Sequence, residues 1–258
     1  MKTKNNYETL LIERHDDIAV LSLNRPEKLN AIGSAMLRDL SQAIPELNED
    51  DSIRIVILTG KGQGFCGGAD LGERVDDYIL EDEYLPKLQA IWEAPKPWIS
   101  AIHGAAAGVG SAFAMCCDLT VMADDAYIYQ AFGGIGLIPD GGASWHLART
   151  LGKKRAYEVI VTGERISAQN CLEWGLCNRV VPLERLMKDT LDWARELGKR
   201  APLSMRYAKQ ALNVAVEKDL SETILAEAAL QRICAASDDA REGRLAFAEK
   251  RKPVWTGR

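Results

Sequence analysis

An α/β domain followed by a helical tail is the fold class that the sequence predicts. Three observations carry the prediction. Short runs of branched apolar residues recur through the first half of the chain. Helical periods fall between them. After residue 183 the strand signals thin out while helical patterns continue.

The strand candidates come first. Residues 18–23, 55–58, 98–102 and 119–122 are apolar, rich in branched side chains and bounded by turn signals, the pattern of strands buried on both faces. Between the first two, Leu37, Leu40, Ile44 and Leu47 step by three, four and three behind a candidate N-cap at Ser34. That spacing predicts an amphipathic helix. Pro45 leaves its end open, because an interior proline removes a hydrogen bond and crowds the preceding turn. Further on, Ser167 can cap a short helix from Ala168, and helical periods cover about 185–199, 203–217 and 220–236. Such a tail is either a packing layer or an oligomer-forming arm. Arg200-Ala201-Pro202 is the nearest thing to a boundary, so residues 1–200 are read as a core and 201–258 as a helical region.

Composition narrows the function classes. An apolar fraction of 47% and a charged fraction of 27% over 258 residues are those of a folded globular protein. The formal charge is −5, and the only basic stretch is a short tail at 250–258, which argues against a nucleic-acid partner. No apolar run approaches the ~20 residues of a membrane span. Residues 1–10 are polar and hold no signal-peptide core, so a cytoplasmic location is expected. Cys66, Cys116, Cys117, Cys171, Cys177 and Cys234 form no Cys-x-x-Cys pair. With only His15, His103 and His146 beside them, no zinc-ligand spacing arises and no metal is expected. Cys116 and Cys117 read as small core residues, and His103 and His146 as structural.

Three glycine clusters stand out: 64–70, 104–111 and 133–142. None is a phosphate motif. A P-loop around Gly60-Lys61 would need glycine at Ile55 and a hydroxyl residue at Gly62, and a dinucleotide fingerprint from Gly108 would need a small residue at Phe113. Taken singly, each cluster makes tight turns. The second says more, because it leads from a strand candidate into the small-residue helix candidate 112–117. The first N–H groups of a helix lack internal partners and carry positive partial charge. Glycines at the entry let a ligand approach those donors, which suits a developing oxyanion. The turn at Ala69-Asp70 offers a second donor.

With these residues in view, the chain resembles the crotonase (enoyl-CoA hydratase/isomerase) superfamily from about Tyr7 to Arg258. The carriers are Leu23-Asn24-Arg25-Pro26-Glu27-Lys28-Leu29-Asn30-Ala31, then Gly68-Ala69-Asp70-Leu71, then 104–118, then Gly136-Leu137-Ile138-Pro139-Asp140. Thr162-Gly163-Glu164-Arg165-Ile166-Ser167-Ala168 and the segments 241–243 and 247–251 complete the series in order and spacing. The resemblance implies a spiral of β-β-α repeats with a C-terminal helical region that builds a homotrimer or hexamer. It implies an acyl-CoA substrate that carries its own coenzyme A, with no further cofactor. The oxyanion donors would be the backbone N–H groups of Ala69 and Val109. Because those donors are backbone, Val109 can stand where many relatives have glycine. The nucleotide half of coenzyme A would lie near Arg25, Lys28 and Leu29, and Gly67, Gly68 and Asp70 would line the pantetheine path. Phe247 and Lys250 would contribute from the C-terminal arm. Ordinary solvated surface is the alternative for Arg25 and Lys28.

The chain departs from the hydratases of this family at the positions of their two glutamates. Ala112 and Phe132 stand there, and neither carries a proton. One acid remains, Asp140. Its setting resembles the active-site aspartate of dienoyl-CoA isomerases and, with Trp145 following, of the ring-epoxide isomerases of phenylacetyl-CoA degradation. The resemblance therefore implies an enoyl-CoA double-bond or ring isomerase with Asp140 as its base. Three other readings stay open: an enoyl-CoA hydratase of fatty-acid or aromatic-acid degradation, a non-catalytic acyl-CoA-binding relative, and Asp140 as a nucleophile of the aryl-CoA dehalogenase kind. Local sequence alone also allows Asp140 as the N-cap of a helix within 141–147.

Overall fold

The branched runs of the sequence become the inner strands of one sheet. The computed structural model describes residues 2–4, 7–73 and 79–258, so part of the polar start at 1–10 lies outside the described residues. In chain order the elements are β1 (Lys2–Lys4), β2 (Leu10–His15), β3 (Ile18–Leu23), α1 (Ser34–Glu49), β4 (Ile55–Gly60), α2 (Leu85–Trp92), β5 (Trp98–Ile102), β6 (Ala105–Ala107) and α3 (Val109–Cys116). Then follow β7 (Leu119–Ala123), β8 (Tyr127–Tyr129), α4 (Ala143–Thr162), β9 (Arg165–Ser167), α5 (Ala168–Trp174), β10 (Arg179–Val181), α6 (Leu186–Gly198), α7 (Pro202–Ala215), α8 (Leu220–Ala236) and α9 (Asp238–Ala248).

The large sheet has the order β1-β2-β3-β4-β5-β7-β10. It is antiparallel from β1 to β3 and parallel from β3 onward. Every residue of β3, β4 and β5 is buried, as unbroken apolar runs require of strands covered on both faces. A second sheet has the order β6-β8-β9, and single bridges from Cys66 to Ala106 and from Ile32 to Ala69 extend it toward the earlier turns. A strand of the large sheet leads into a short strand of the small one and then into a helix, as β5–β6–α3 and β7–β8–α4. This is the β-β-α spiral that the resemblance implies.

α1 differs from its sequence reading at its N-cap, and the end that Pro45 left open is settled. Gly33, not Ser34, is the N-cap. Ser34 is the first helical residue, and its N–H and hydroxyl donate to the Glu73 carboxylate at 2.7 and 2.8 Å. The helix also runs past Pro45 to Glu49. An interior proline costs about 3 kcal/mol. Met36, Leu37, Leu40, Ile44 and Leu47 are all buried, and each contributes about 1.5–3 kcal/mol, so burial wins. At the far end the Lys96 ammonium donates to the carbonyls of Leu47 and Asp50.

The tail is helical as read. Ser167 caps α5, its hydroxyl accepting from the Asn170 N–H at 3.2 Å. Among the described residues, the last strand ends at Val181. α7 follows Arg200-Ala201 with Pro202 in its first turn. Two side chains tie it to the core. Lys209 donates to Ile91 O at 2.8 Å and to Asp118 at 2.9 Å, and Asn213 donates to Trp92 O at 2.9 Å. No described helix is long and apolar enough to cross a membrane.

Candidate active site

Because β4 and β5 are parallel neighbours, the turns that leave their C-terminal ends lie side by side. Backbone bonds join them: Phe65 N–H to His103 O, Cys66 N–H to Ala105 O and Ala107 N–H to Cys66 O, each 2.9 Å. The buried Asn30 amide clamps the first turn by donating to Lys61 O at 2.8 Å and Gly64 O at 2.9 Å. The Cys66 thiol fills the gap beneath and donates to Asn30 O at 3.1 Å. Gly68 and Gly108 both hold a positive φ, +104° and +51°. Those φ values favour glycine, and the two backbones pack closely: a β-carbon on Gly108 would be in van der Waals contact with the Gly68 Cα, 3.5 Å away.

Ala69 and Val109 follow directly on those two glycines. Ile32 N–H donates to Gly68 O and Asp70 N–H donates to Ile32 O. In extended chain the N–H between them, that of Ala69, faces the other way. Val109 opens α3, so its N–H has no acceptor within the helix. Neither amide has a hydrogen-bond partner among the described residues. Two free donors thus stand beside the positive end of a helix, an arrangement that can stabilise an oxyanion.

Asp140 reaches this place through the third glycine cluster. A 3-10 turn over Ala131–Ile135 leads to an irregular stretch and then to Gly141 and Gly142, both with positive φ. A β-carbon on Gly141 would lie 2.8 Å from Ala112 Cβ and 3.3 Å from Val109 Cγ2. Only glycine lets the chain rest on the first turns of α3, and that contact sets Asp140 beside Val109. The Phe132 ring in turn comes within 3.8 Å of where a Gly108 β-carbon would be. Ala112 and Phe132 therefore both touch the site, and neither brings an ionisable group to it. The Asp140 side chain is not the helix cap that local sequence allowed. Gly142 is the N-cap of α4, and Asp140 contributes only its carbonyl, which accepts from Ala143 N–H at 3.0 Å. Oδ1 of Asp140 is buried without a partner. Burial pushes the carboxyl up to about 6, with its own backbone N–H drawing it back slightly.

The residues expected to hold coenzyme A divide into two groups. Arg25, Lys28, Leu29, Gly67, Gly68 and Asp70 gather beside the Ala69 turn. Gly67 N–H donates to Leu29 O at 2.8 Å, and Leu29 is 47% exposed with φ +50°. Arg25 is largely occupied: it donates to Ala31 O at 3.0 Å and to Asp70 at 3.1 Å. The Gly72 N–H, and after it Arg25, hold the Asp70 carboxyl below the usual range. Lys28 is exposed. Phe247 and Lys250 sit at the end of α9, where Phe247 is 87% exposed. No hydrogen bond or ion pair among the described residues joins them to the Arg25 loop.

The sequence reading missed a cavity. It measures about 1220 Å³ and meets the site at Gly141 and Gly142, between α2, α4, α7 and α8. Leu88, Trp92, Trp145, His146 and Leu230 line it. Trp145 packs edge-to-face on Trp92 at 5.1 Å and on His146 at 4.9 Å, with the Arg149 guanidinium 4.1 Å from its ring centre. Burial, and after it Arg149, pushes His146 down to about 4, so the imidazole is neutral and acts as part of an aromatic wall. Trp92 and Trp145 are 53 residues apart, and no local pattern joins them. His103 Nε2–H donates to Gly62 O at 3.0 Å, a structural contact. Among the described residues no cluster of His, Cys, Asp or Glu could hold a metal ion.

Repeated β-β-α turns, with a strand-to-helix turn at their centre, define a crotonase-fold protein. The model of the enoyl-CoA hydratase/isomerase family matches residues 13–258, and the chain belongs to that family. It is 36% identical to the 1,2-epoxyphenylacetyl-CoA isomerase of Escherichia coli K12, across 97% of this chain and 99% of that one. It is also 36% identical to a probable enoyl-CoA hydratase of Mycobacterium bovis, across 98% and 99%. The crystal structure of an enoyl-CoA hydratase subunit from Geobacillus kaustophilus superimposes with a TM-score of 0.93 at 32% identity, covering 98% of this chain and all of that one.

Proposed function

We propose that this protein is an enoyl-CoA isomerase. The N–H groups of Ala69 and Val109 bind the thioester oxygen of an acyl-CoA. Ionised Asp140 takes a proton from one carbon of the acyl group, the electrons move through the conjugated system to that oxygen, and an enolate forms. Asp140 then returns the proton to a different carbon, the oxygen's electrons flow back, and the double bond has moved. Each oxyanion donor contributes about 3 kcal/mol to the enolate-like transition state. Coenzyme A enters as part of the substrate, near Arg25, Lys28, Leu29, Gly67, Gly68 and Asp70, and no further cofactor takes part. Phe247 and Lys250 add to that surface from the C-terminal arm of a trimer or hexamer. The exposed apolar side chains of α8 and α9, such as Leu225 at 71% and Phe247, support that assembly. Sedimentation of the protein as a monomer would remove it.

One observation carries the reading of the chemistry. Asp140 is a single carboxyl held partly from water near pH 6, while the neighbouring Ala112 and Phe132 carry no proton. One such group can shuttle a proton, whereas addition of water calls for a second. Hydration is the competing reading, supported by the names of relatives such as the one from M. bovis. The two separate in heavy water with a panel of 2-enoyl, 3-enoyl and ring-bearing acyl-CoA esters. Isomerisation moves the double bond without adding the mass of water. Rapid gain of that mass across a 2,3-double bond would overturn the proposal. Binding with neither change would leave a non-catalytic relative.

A further inference from the structure

The mechanism leaves one buried proton-bearing side chain beside the site unused. Tyr84 is 2% exposed and ends a wide π-helical turn, Ile79–Tyr84, just before α2. Wide turns of this kind recur at functional sites. Tyr84 keeps right-handed helical angles, φ −77° and ψ −46°, so it shares a face with Leu88 one turn on. Leu88 Cδ1 lies 3.3 Å from where a Gly141 β-carbon would be, and Gly141 adjoins Asp140. The face that carries Tyr84 is therefore turned toward the Asp140 segment. Electrostatics agree with the geometry. Burial, and after it the charges of Asp140 and Cys66, raise the Tyr84 hydroxyl well above its ordinary value. The phenol thus feels the charges of both the carboxyl and the thiol under the Ala69 turn, and stays protonated. Among the described residues its hydroxyl has no hydrogen-bond partner, and neither does Asp140 Oδ1.

We propose that Tyr84 is a positioning residue for Asp140: when the carboxyl ionises, the phenol donates a hydrogen bond to Oδ1 and holds the base in one orientation. The inference rests on the reading of Asp140 as the base. A neutral donor beside a buried carboxylate is the arrangement that favours the ionised form. Among the described residues, the other titratable groups near Asp140 are engaged with other partners or line the cavity beyond it. His146 on α4 is neutral within its aromatic cluster, and Arg149 stacks on Trp145. The Cys116 thiol on α3 donates to Leu88 O at 3.1 Å. Glu81 beside α2, and Glu217 and Lys218 beyond α7, line the cavity that opens past Gly141.

The test is Tyr84→Phe, which keeps the ring and removes only the hydroxyl. Protein labelled with 13C at aspartate carboxyls is titrated by infrared spectroscopy, with Asp140→Asn identifying the band of that residue. In Tyr84→Phe the Asp140 midpoint is expected to rise by about one pH unit, since a hydrogen bond to a charged group has roughly that effect. The acidic limb of the rate profile for 3-enoyl-CoA isomerisation should move up with it. Binding of acetyl-CoA, followed by calorimetry, should stay within about twofold of wild type, which also verifies the fold. An unchanged Asp140 midpoint overturns the role of Tyr84 whatever the activity does. Full turnover in Asp140→Asn would instead sink the base, and the midpoint of wild type against Tyr84→Phe would still report on the contact.

Discussion

The turns that carry Ala69 and Val109 and the segment that carries Asp140 meet in one site, yet they are held in different ways. The turns are stitched to each other by backbone bonds, clamped by Asn30 and floored by Cys66. The segment from Ala131 to Gly142 has Ile138 82% exposed and Leu137 58% exposed, and a β-carbon on Gly134 or Gly136 would meet nothing within 4 Å. In the turns the proposed functional groups are amides, which survive changes of side chain. In the segment the proposed functional group is one carboxyl. On the proposed function, the comparison accounts for how valine stands at 109 without loss of the donor, and why the reaction type would hang on residue 140.

Breaking the side-chain half should have the largest effect. Asp140→Asn keeps the shape and removes the base, so double-bond migration in 3-enoyl-CoA should fall by about 10³-fold. Affinity for the thioester, measured by calorimetry, should change less than about threefold, because the donors and the coenzyme A surface are untouched. Retained migration would mean that some other group moves the proton.

Breaking the backbone half takes a proline. Val109→Pro deletes one N–H at the first position of a helix, where proline is tolerated. Turnover should drop about 10²–10³-fold while the circular dichroism spectrum stays native. Val109→Ala, which keeps the amide, should retain most of the rate. Equal losses in the two variants would show that the side chain, and not the N–H, does the work.

The same contrast explains what could be read from the sequence. The inner strands were legible because burial on both faces calls for unbroken apolar runs, and the tail helices because their apolar residues recur at helical spacing. The short strands β6, β8 and β9 were not, because three residues such as Ala105, Ala106 and Ala107 carry no period. Gly68 and Gly108 were legible as turns, but their contact depends on β4 and β5 lying parallel. Asp140 stood out only through resemblance, since local chemistry fitted a helix cap equally well. The cavity and Tyr84 left no mark, because the helices that build them come together from distant parts of the chain. Pro45 left the end of α1 open, because a local cost was set against buried contacts that local sequence does not display.

A tie outside both halves serves as a control. Lys209 on α7 reaches Asp118, which also accepts the Trp98 N–H at 2.8 Å where β5 begins. Burial raises the Asp118 carboxyl, and Lys209 partly offsets that. Lys209→Met leaves a partly buried acid without its partner and should cost about 2 kcal/mol, seen as a Tm lower by roughly 4–8 °C. The midpoint of the pH–rate profile should not move, because neither half of the site is touched. A shift would mean that the tail helices help to hold the Asp140 segment.

The smallest effect separates the two halves most cleanly, because it needs no substrate. The Asp140 carboxyl is raised from 3.8 to about 6 by burial, so the folded protein binds its proton more tightly than the unfolded chain does. Its contribution to stability is then fully present below the unfolded value and is lost as pH rises through 6. On the proposed mechanism the rate runs the opposite way, since the base works only when ionised. Asp140→Asn should remove this pH dependence. With allowance for partial exposure, the variant should gain about 1 kcal/mol over wild type above pH 7, or roughly 3 °C in Tm, and match it near pH 4. Val109→Pro alters no titrating group, so its Tm should run parallel to wild type over the same range. If Asp140→Asn also ran parallel, the carboxyl would be solvated, and the low-dielectric setting on which its proposed role as a base rests would be gone.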